Sequence, residues 1–474
     1  MLLARSALAL GSSEAGHGWQ PSRGARVGGP DLTLILDPTA PDFATGLGRG
    51  LRRAMASSSS ISISDGARVV IVNDIAGHFE VLASVMVQLH RMQQASSGKL
   101  LAGKPRVVFT GNIAGPEKNG LLDWLGQEVS ESAQWLPLGN FGLLGPTAGS
   151  GGKGGKGAAG SKTSSGSGGK KGSPADDPAD LVICVSAELA PQICAAVAAA
   201  VDPRLLVVVV HRADTHSKNA KFLRLHRAPL RLMALAPHVA NLSRHMLKRD
   251  QVDWAMPVAP FVPAKPCNAK ACLSGFALQG ALRRYRSKAC ATSACYTRDY
   301  AALWRRLLEL RDEGAGPVPP VVVVGKGERK NLLLPPELDG ANSSVTYKPW
   351  LPYPEFWGLI YHSLALVPAF GMPVYYESRI SSTILASLVT CVPLIAEQKL
   401  LDVYTFMSEK HVFLRQPGED EAAAMVRVMA LPEAEILTRR RAMCELQKEM
   451  NERADGLLAQ YIQEALATDR QSRR

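Results

Sequence analysis

The chain has 474 residues, 46% of them hydrophobic and only 20% charged, a globular composition with room for two or three domains. A formal net charge of +12 invites a nucleic-acid reading, but aromatics are scarce at 6% and none alternates with basic residues, so no specific nucleic-acid partner is expected. No stretch approaches the ~20 apolar residues of a membrane span, so no transmembrane segment is expected either.

Residues 1–65 show little periodicity and end in the Ser-rich MASSSSISIS, which predicts a mostly disordered leader. Its opening, MLLARSALALGSSEAG, makes a poor signal peptide. A cytoplasmic location, or one peripheral to an endomembrane, is favoured, with organelle targeting by the leader as the alternative. Apolar runs predict strands over 68–72, 106–110, 181–185 and 205–210, and helical spacing predicts helices over 79–92, 120–125 and 191–201. The segment 146–174 holds five lysines and no acid among Gly and Ser, and reads as a disordered insert. Strands alternating with helices predict a parallel sheet with helices on both faces, a first Rossmann-like domain over 66–260. The Pro-rich passage 257–266 breaks the pattern and predicts a hinge over 261–271. Alternation then restarts in a second such domain over 272–431. Its strands are expected over 275–278, 321–324 and 364–367, its helices over 300–310, 353–361 and 382–388, and 393–396 is expected to close its sheet. The tail, 432–474, is helical by composition and spacing. Two such units place a ligand in the crevice at the carboxyl ends of their strands.

Three segments carry candidate chemistry. In VVVVGKGERK (321–330) a buried strand runs into Gly325, Lys326 and Gly327. Glycines there would let backbone amides approach an anion, with Lys326, Arg329 and Lys330 adding charge, although a tight turn with solvated cations gives the same pattern. In YYESRISSTILASLVTCVPLIA (375–396), Ser381, Ser382 and Thr383 stand where a helix should begin. They either cap that helix or help its free amides hold a phosphate. In the first unit, His78, His211 with Asp214, and His238 occupy loops after strands, where His211 and Asp214 could orient or accept protons. Eight cysteines do not form a disulfide scaffold. Cys267 with Cys272 and Cys290 with Cys295 are spaced too widely for a tight zinc knuckle, so thiols or a local disulfide are favoured over zinc. With no Asp-x-Asp pair, Walker loop or H-E-x-x-H helix, a metal or P-loop mechanism lacks its residues, and the absence of G-x-G-x-x-G weakens a dehydrogenase reading.

With these landmarks placed, the order of segments resembles the group-1 glycosyltransferases of the GT-B, two-Rossmann fold. HRAD (211–214) is similar to the strand-end His loop of their acceptor domain, and WAMPVAPFVP (254–263) to their interdomain crossing. GFALQG (275–280), VVVVGKGERKNL and VTYKPWLPYPEFWGLIYHSLALVPAF (345–370) are similar to successive donor-domain segments. NDIAGHFEV, PHVANL, FALQG with RDY, LPYPEF and VPAF suggest a narrower fungal and algal glycosyltransferase-like group, covering about residues 66–465.

The resemblance implies roles. Gly325, Lys326 and Gly327 would lie beside the diphosphate of a nucleotide-sugar donor, Arg283 and Arg298 would form a basic phosphate clamp, and Ser381, Ser382 and Thr383 would face the donor. Glu377 matches the first glutamate of the superfamily's pair, while the second falls near Ala386 and the usual Gly before the closing Pro is replaced by Cys391-Val392. His78, His211, Asp214 and Glu377 are thus the candidate catalytic residues, with no metal and no cofactor beyond the donor. The implied reaction is metal-independent sugar transfer to a hydroxyl acceptor (glycan, lipid or protein) with retention of configuration. A non-catalytic module that binds a nucleotide-sugar or glycan, or serves as a scaffold, is the alternative; an epimerase on the same fold is a third reading.

Overall fold

The computed structural model describes residues 66–73, 75, 78–109, 119–138, 177–216, 228–282, 284–285, 295–339 and 343–472. The leader, the Gly/Lys insert, Arg283 and Cys290 lie outside the described residues.

The first sheet has seven parallel strands: β1 (Val69–Asn73), β2 (Arg106–Phe109), β3 (Gln134–Pro137), β4 (Leu181–Cys184), β5 (Leu205–Val210), β6 (Leu230–Ala234) and β7 (Val252–Trp254). Their spatial order is β3-β2-β1-β4-β5-β6-β7. Helices α1 (Phe79–Ala95), α2 (Leu121–Glu131), α3 (Pro191–Val201) and α4 (Pro237–Leu247) make crossovers between parallel neighbours. The runs VVIVN, LVIC and LLVVVV are buried at every position, because helices cover both faces of the sheet. Branched side chains suit such strands.

The chain leaves this sheet at Trp254, runs extended through the proline-rich passage, and enters a second sheet at Phe276. That sheet holds β8 (Phe276–Leu282), β11 (Val321–Gly327), β12 (Val345–Pro349), β13 (Ala365–Leu366), β14 (Leu394–Ala396) and β15 (Val412–Leu414). Between β8 and β11, β9 (Arg284–Tyr285) and β10 (Cys295–Tyr296) pair antiparallel by themselves. Helices α5 (Tyr300–Asp312), α6 (Tyr353–Tyr361), α7 (Val374–Glu377), α8 (Ser382–Thr390), α9 (Gln398–Val403) and α10 (Glu421–Ala430) complete this half. The order β12-β11-β8-β13-β14-β15 repeats the 3-2-1-4-5-6 winding of the first six strands. The fold is α/β with two Rossmann-like sheets, the class that the sequence pattern implies.

Alternation on the second sheet separates two cores. Phe276, Leu278, Val321 and Val323 pack with Trp304 and Phe413 on one face, while Ala277 and Val324 face the other core. The latter is continuous with the interior of the first half. Trp124 of α2 stacks near Tyr353 and Trp357 of α6, with ring centroids 5.2 Å away in both cases, and the Tyr353 amide donates to Asn119 O at 2.8 Å. The last helix, α11 (Glu433–Ser472), spans both halves. Arg440 donates to the carbonyls of Ser363 and Tyr361 in the second, whereas Asn451 accepts from Gln88 and from the Val258 amide, and Glu464 pairs with Arg231 in the first.

Two expectations are corrected. Residues 393–396 do not close the second sheet, because β14 pairs onward with β15, a three-residue strand too short to stand out in the sequence. Cysteine pairing is also wider than the spacing suggested. Cys267 bridges Cys272 locally, but Cys184 also bridges Cys194 and Cys391 bridges Cys444. Among the described residues no cysteine is free and no cluster of ligands could hold a metal.

Candidate active site at the facing strand ends

In each sheet the winding reverses at one point, between β1 and β4 in the first and between β8 and β13 in the second. Crevices outside the carboxyl ends of strands at such points are where open α/β sheets hold ligands. The two sets of carboxyl ends meet. After β5, the Ala213 amide donates to Ser378 O at 2.9 Å, and the Ile380 amide donates back to His211 O at 3.1 Å. Arg379 pairs with Asp214 across the same seam at 2.7 Å. His238, after β6, has Nε2 3.1 Å from Arg379 O. Residues 211–214 and 378–380 thus form a short latch between the halves.

His78 and His211 come together at the first reversal point. His78 precedes α1 in a left-handed conformation (φ 53°), its Nδ1 lies 2.9 Å from Ser186 Oγ, and its ring stacks on His211 at 4.4 Å. His211 is buried, with Nε2 2.7 Å from Val185 O, so Nε2 carries the proton and donates it to that carbonyl. Burial, and then the neighbouring His78, hold its pKa well below the usual imidazole value. His211 is therefore a neutral ring whose only basic atom is Nδ1. The Asp214 carboxylate accepts from the Arg379 guanidinium at 2.7 Å.

In the second half, Gly325 and Gly327 answer first to packing. A Cβ on Gly325 would lie 1.8 Å from Gly280 O, and one on Gly327 2.4 Å from the Leu282 Cβ. The glycines let β8 and β11 approach where they end. Of the cations beside them, Arg329 pairs with Asp339 and Lys330 with Glu328. Lys326 is exposed, makes no ion pair among the described residues, and lies with Nζ 5.7 Å from the centroid of the Trp350 ring. Trp350 itself follows β12, is 67% exposed, and has φ 57°, a conformation strained for a bulky side chain.

Arg298 sits at the second reversal point. Its guanidinium donates to Gln279 O in the middle of β8 (3.1 Å), to Pro368 O after β13 (2.5 Å) and to Thr383 Oγ1 at the start of α8 (2.6 Å). Phe370 and Tyr375 lie 5.1 and 5.4 Å from it. The residue is 3% exposed and has no carboxylate within ion-pair distance among the described residues. Ser381 caps α8 by accepting from the Thr383 amide at 3.2 Å, so its hydroxyl is committed to the helix. Ser382 donates to Gln279 Oε1 at 3.1 Å. Glu377 is exposed at the end of α7.

No family model matches the sequence, and no curated protein matches it. Solved structures do. A glycosyltransferase from Rickettsia africae is similar over 84% of this chain and 99% of that one, at 11% identity and a TM-score of 0.46. A UDP-forming α,α-trehalose-phosphate synthase from Burkholderia vietnamiensis is similar over 86% and 100%, at 10% identity and a TM-score of 0.43. The T4 phage BGT in complex with its UDP-glucose substrate is similar over 84% and 97%, at 10% identity and a TM-score of 0.38.

Sequence reasoning overlooked Ser186, Gln279, Trp350 and Arg379. Trp350 and Arg379 carried a usable signal, a bulky aromatic just past a strand and a cation beside a capping cluster. Ser186 and Gln279 carried none, since their partners are 108 and 103 residues away.

Proposed function

We propose that the chain transfers a sugar from a nucleotide-sugar to a hydroxyl acceptor (glycan, lipid or protein), without a metal and with retention of configuration. The observation that carries this reading is the buried Arg298 cation at the reversal point of the second sheet, unpaired with any described carboxylate. A buried cation is costly unless an anion joins it, and a diphosphate at the strand ends would be that anion. Lys326 near the end of β11 and Trp350 just after β12 lie one and two strands outward from β8, about 5 and 10 Å away at ordinary strand spacing, and would receive the nucleoside. Leaving phosphate charge would then be stabilised by Arg298, Lys326 and main-chain amides already in place. Titration calorimetry with UDP, GDP and ADP tests the reading. One diphosphate should bind, and Arg298→Gln should weaken it by about 10- to 100-fold, the worth of a charge-assisted hydrogen bond. If none of the three binds, the reading fails.

A non-catalytic binding module is the second reading, favoured by the commitment of Asp214 to Arg379 and by Ala386 at the second glutamate position. Binding of a nucleotide-sugar with neither transfer nor hydrolysis would select it.

A further inference from the structure

We infer that this chain matures and works in an oxidising compartment, where two disulfides, one fully buried and one half-buried, brace the two sides of the cleft. Cys184 ends β4, and Cys194 lies in α3; both are fully buried, with Cα atoms 5.8 Å apart. The loop they close contains Val185, whose carbonyl accepts from His211, Ser186, which pairs with His78, and Glu188, which accepts from the His211 amide. One bridge therefore fixes the backbone on which the stacked histidines rest.

The second bridge acts on the opposite side. Cys391 caps the carboxyl end of α8, the helix that begins with Ser381, Ser382 and Thr383, and Cys444 lies in α11, with Cα atoms 4.9 Å apart. Gln447, one turn further along α11, donates to Leu388 O at 2.5 Å, and the Phe261 amide donates to Val389 O at 2.8 Å. The bridge ties α8 to the helix that spans both halves. The third pair, Cys267–Cys272, staples a five-residue separation in the passage between the sheets, with Cα atoms 5.7 Å apart. All three separations fall within the roughly 4.4–6.8 Å that a disulfide requires, and no described cysteine is left as a thiol. Bridges of this kind persist in secretory and lumenal compartments and are rare in the reducing cytosol.

Each bridge forms by thiol–disulfide exchange. A cysteine thiolate attacks the disulfide of an oxidised dithiol carrier or of oxidised glutathione, and the second cysteine then displaces the carrier sulfur. The chain's two thiols become one S–S bond, and two electrons and two protons leave on the carrier's two thiols.

The test needs no substrate and is independent of the proposed transfer reaction. Thiols of the full chain are trapped in intact cells with a membrane-permeant alkylating reagent, and digests are mapped by mass spectrometry without reduction. The Cys184–Cys194 and Cys391–Cys444 peptides should appear linked. Reducing the purified chain should lower its melting temperature by about 5–10 °C, and Cys391→Ser with Cys444→Ser should account for most of that loss. Should that variant fail to fold, the alkylation map of the unaltered chain still decides. Alkylated Cys184, Cys194, Cys391 and Cys444 in cells would overturn the inference. So would a reduced chain that melts within about 1 °C of the bridged one.

Discussion

Replacing Gly325 by alanine tests whether the glycine loop is shaped by packing before it is shaped by a ligand. The new Cβ would meet Gly280 O at 1.8 Å, where real Cβ atoms essentially never come closer than 3.0 Å. Backbone oxygen cannot swing aside as a side chain can, so β8 and β11 must part by about 1 Å or more at that pair. The clash falls at the pair Gly325↔Gly280, and Lys326↔Ala281 and Gly327↔Leu282 lie beyond it. Losing the hydrogen bonds of those last pairs costs about 2–3 kcal/mol. Forcing alanine to φ 151° adds about 1 kcal/mol. The expected loss is therefore roughly 3–4 kcal/mol in the ligand-free protein. Lys326→Ala, at an exposed position, should stay within about 0.5 kcal/mol of wild type and weaken nucleotide binding alone. Urea unfolding followed by tryptophan fluorescence measures both. A Gly325→Ala protein within about 0.5 kcal/mol of wild type would refute the steric argument.

The remaining predictions concern the latch and the buried titrating groups. Asp214→Asn should cost about 1 kcal/mol or less, because the pair with Arg379 is only partly shielded, yet it should raise the radius of gyration seen by small-angle scattering; an unchanged profile would remove the latch from the closure of the cleft. His211 has a folded pKa far below the unfolded one, so the unfolded chain takes up the proton first and stability falls as pH drops below about 6.5. His211→Gln, which can still donate to Val185 O, should flatten that acid limb in melting curves from pH 5 to 8; a limb of unchanged slope counts against a buried neutral ring. Glu421 accepts from the Ala369 amide beside the second reversal point, and burial pushes its pKa up to about 7. Its folded state keeps the proton longer than the unfolded state, so stability declines as pH rises through about 4.5 to 7, by at most about 3 kcal/mol. Glu421→Gln should remove that decline, and parallel curves for the two proteins would show that Glu421 does not titrate there.

The winding of both sheets was legible wherever strands are covered on two faces. VVIV, LLVVVV and VVVV announce themselves because each residue is apolar and branched. Strands that failed to stand out have a reason. β6, LRLMA, is interrupted by Arg231, whose guanidinium reaches Glu464 of α11, and β12, VTYKP, buries only Val345 at the sheet edge. Within the site, strand-end placement of His78 and His211 followed from local pattern, whereas Arg298 was named only through the family resemblance. What each does there did not, because the deciding partners are distant in sequence: Val185 for His211, Arg379 for Asp214, Thr383 for Arg298. The glycines illustrate the same limit. Their spacing is equally suited to an anion and to a neighbouring strand, and only the position of Gly280 distinguishes the two.

The helix α11 has a consequence for how the protein is made. Its 40 residues extend for about 60 Å and carry contacts to both sheets, from Arg440 against Ser363 and Tyr361 to Tyr461 against Asp253. Each sheet can condense as its own strands leave the ribosome, but the groups that set their mutual spacing emerge after the strands of both. Biosynthesis therefore delivers the strands of both halves before it delivers the rod that aligns them, and the spacing of the facing strand ends is set only once that rod has docked.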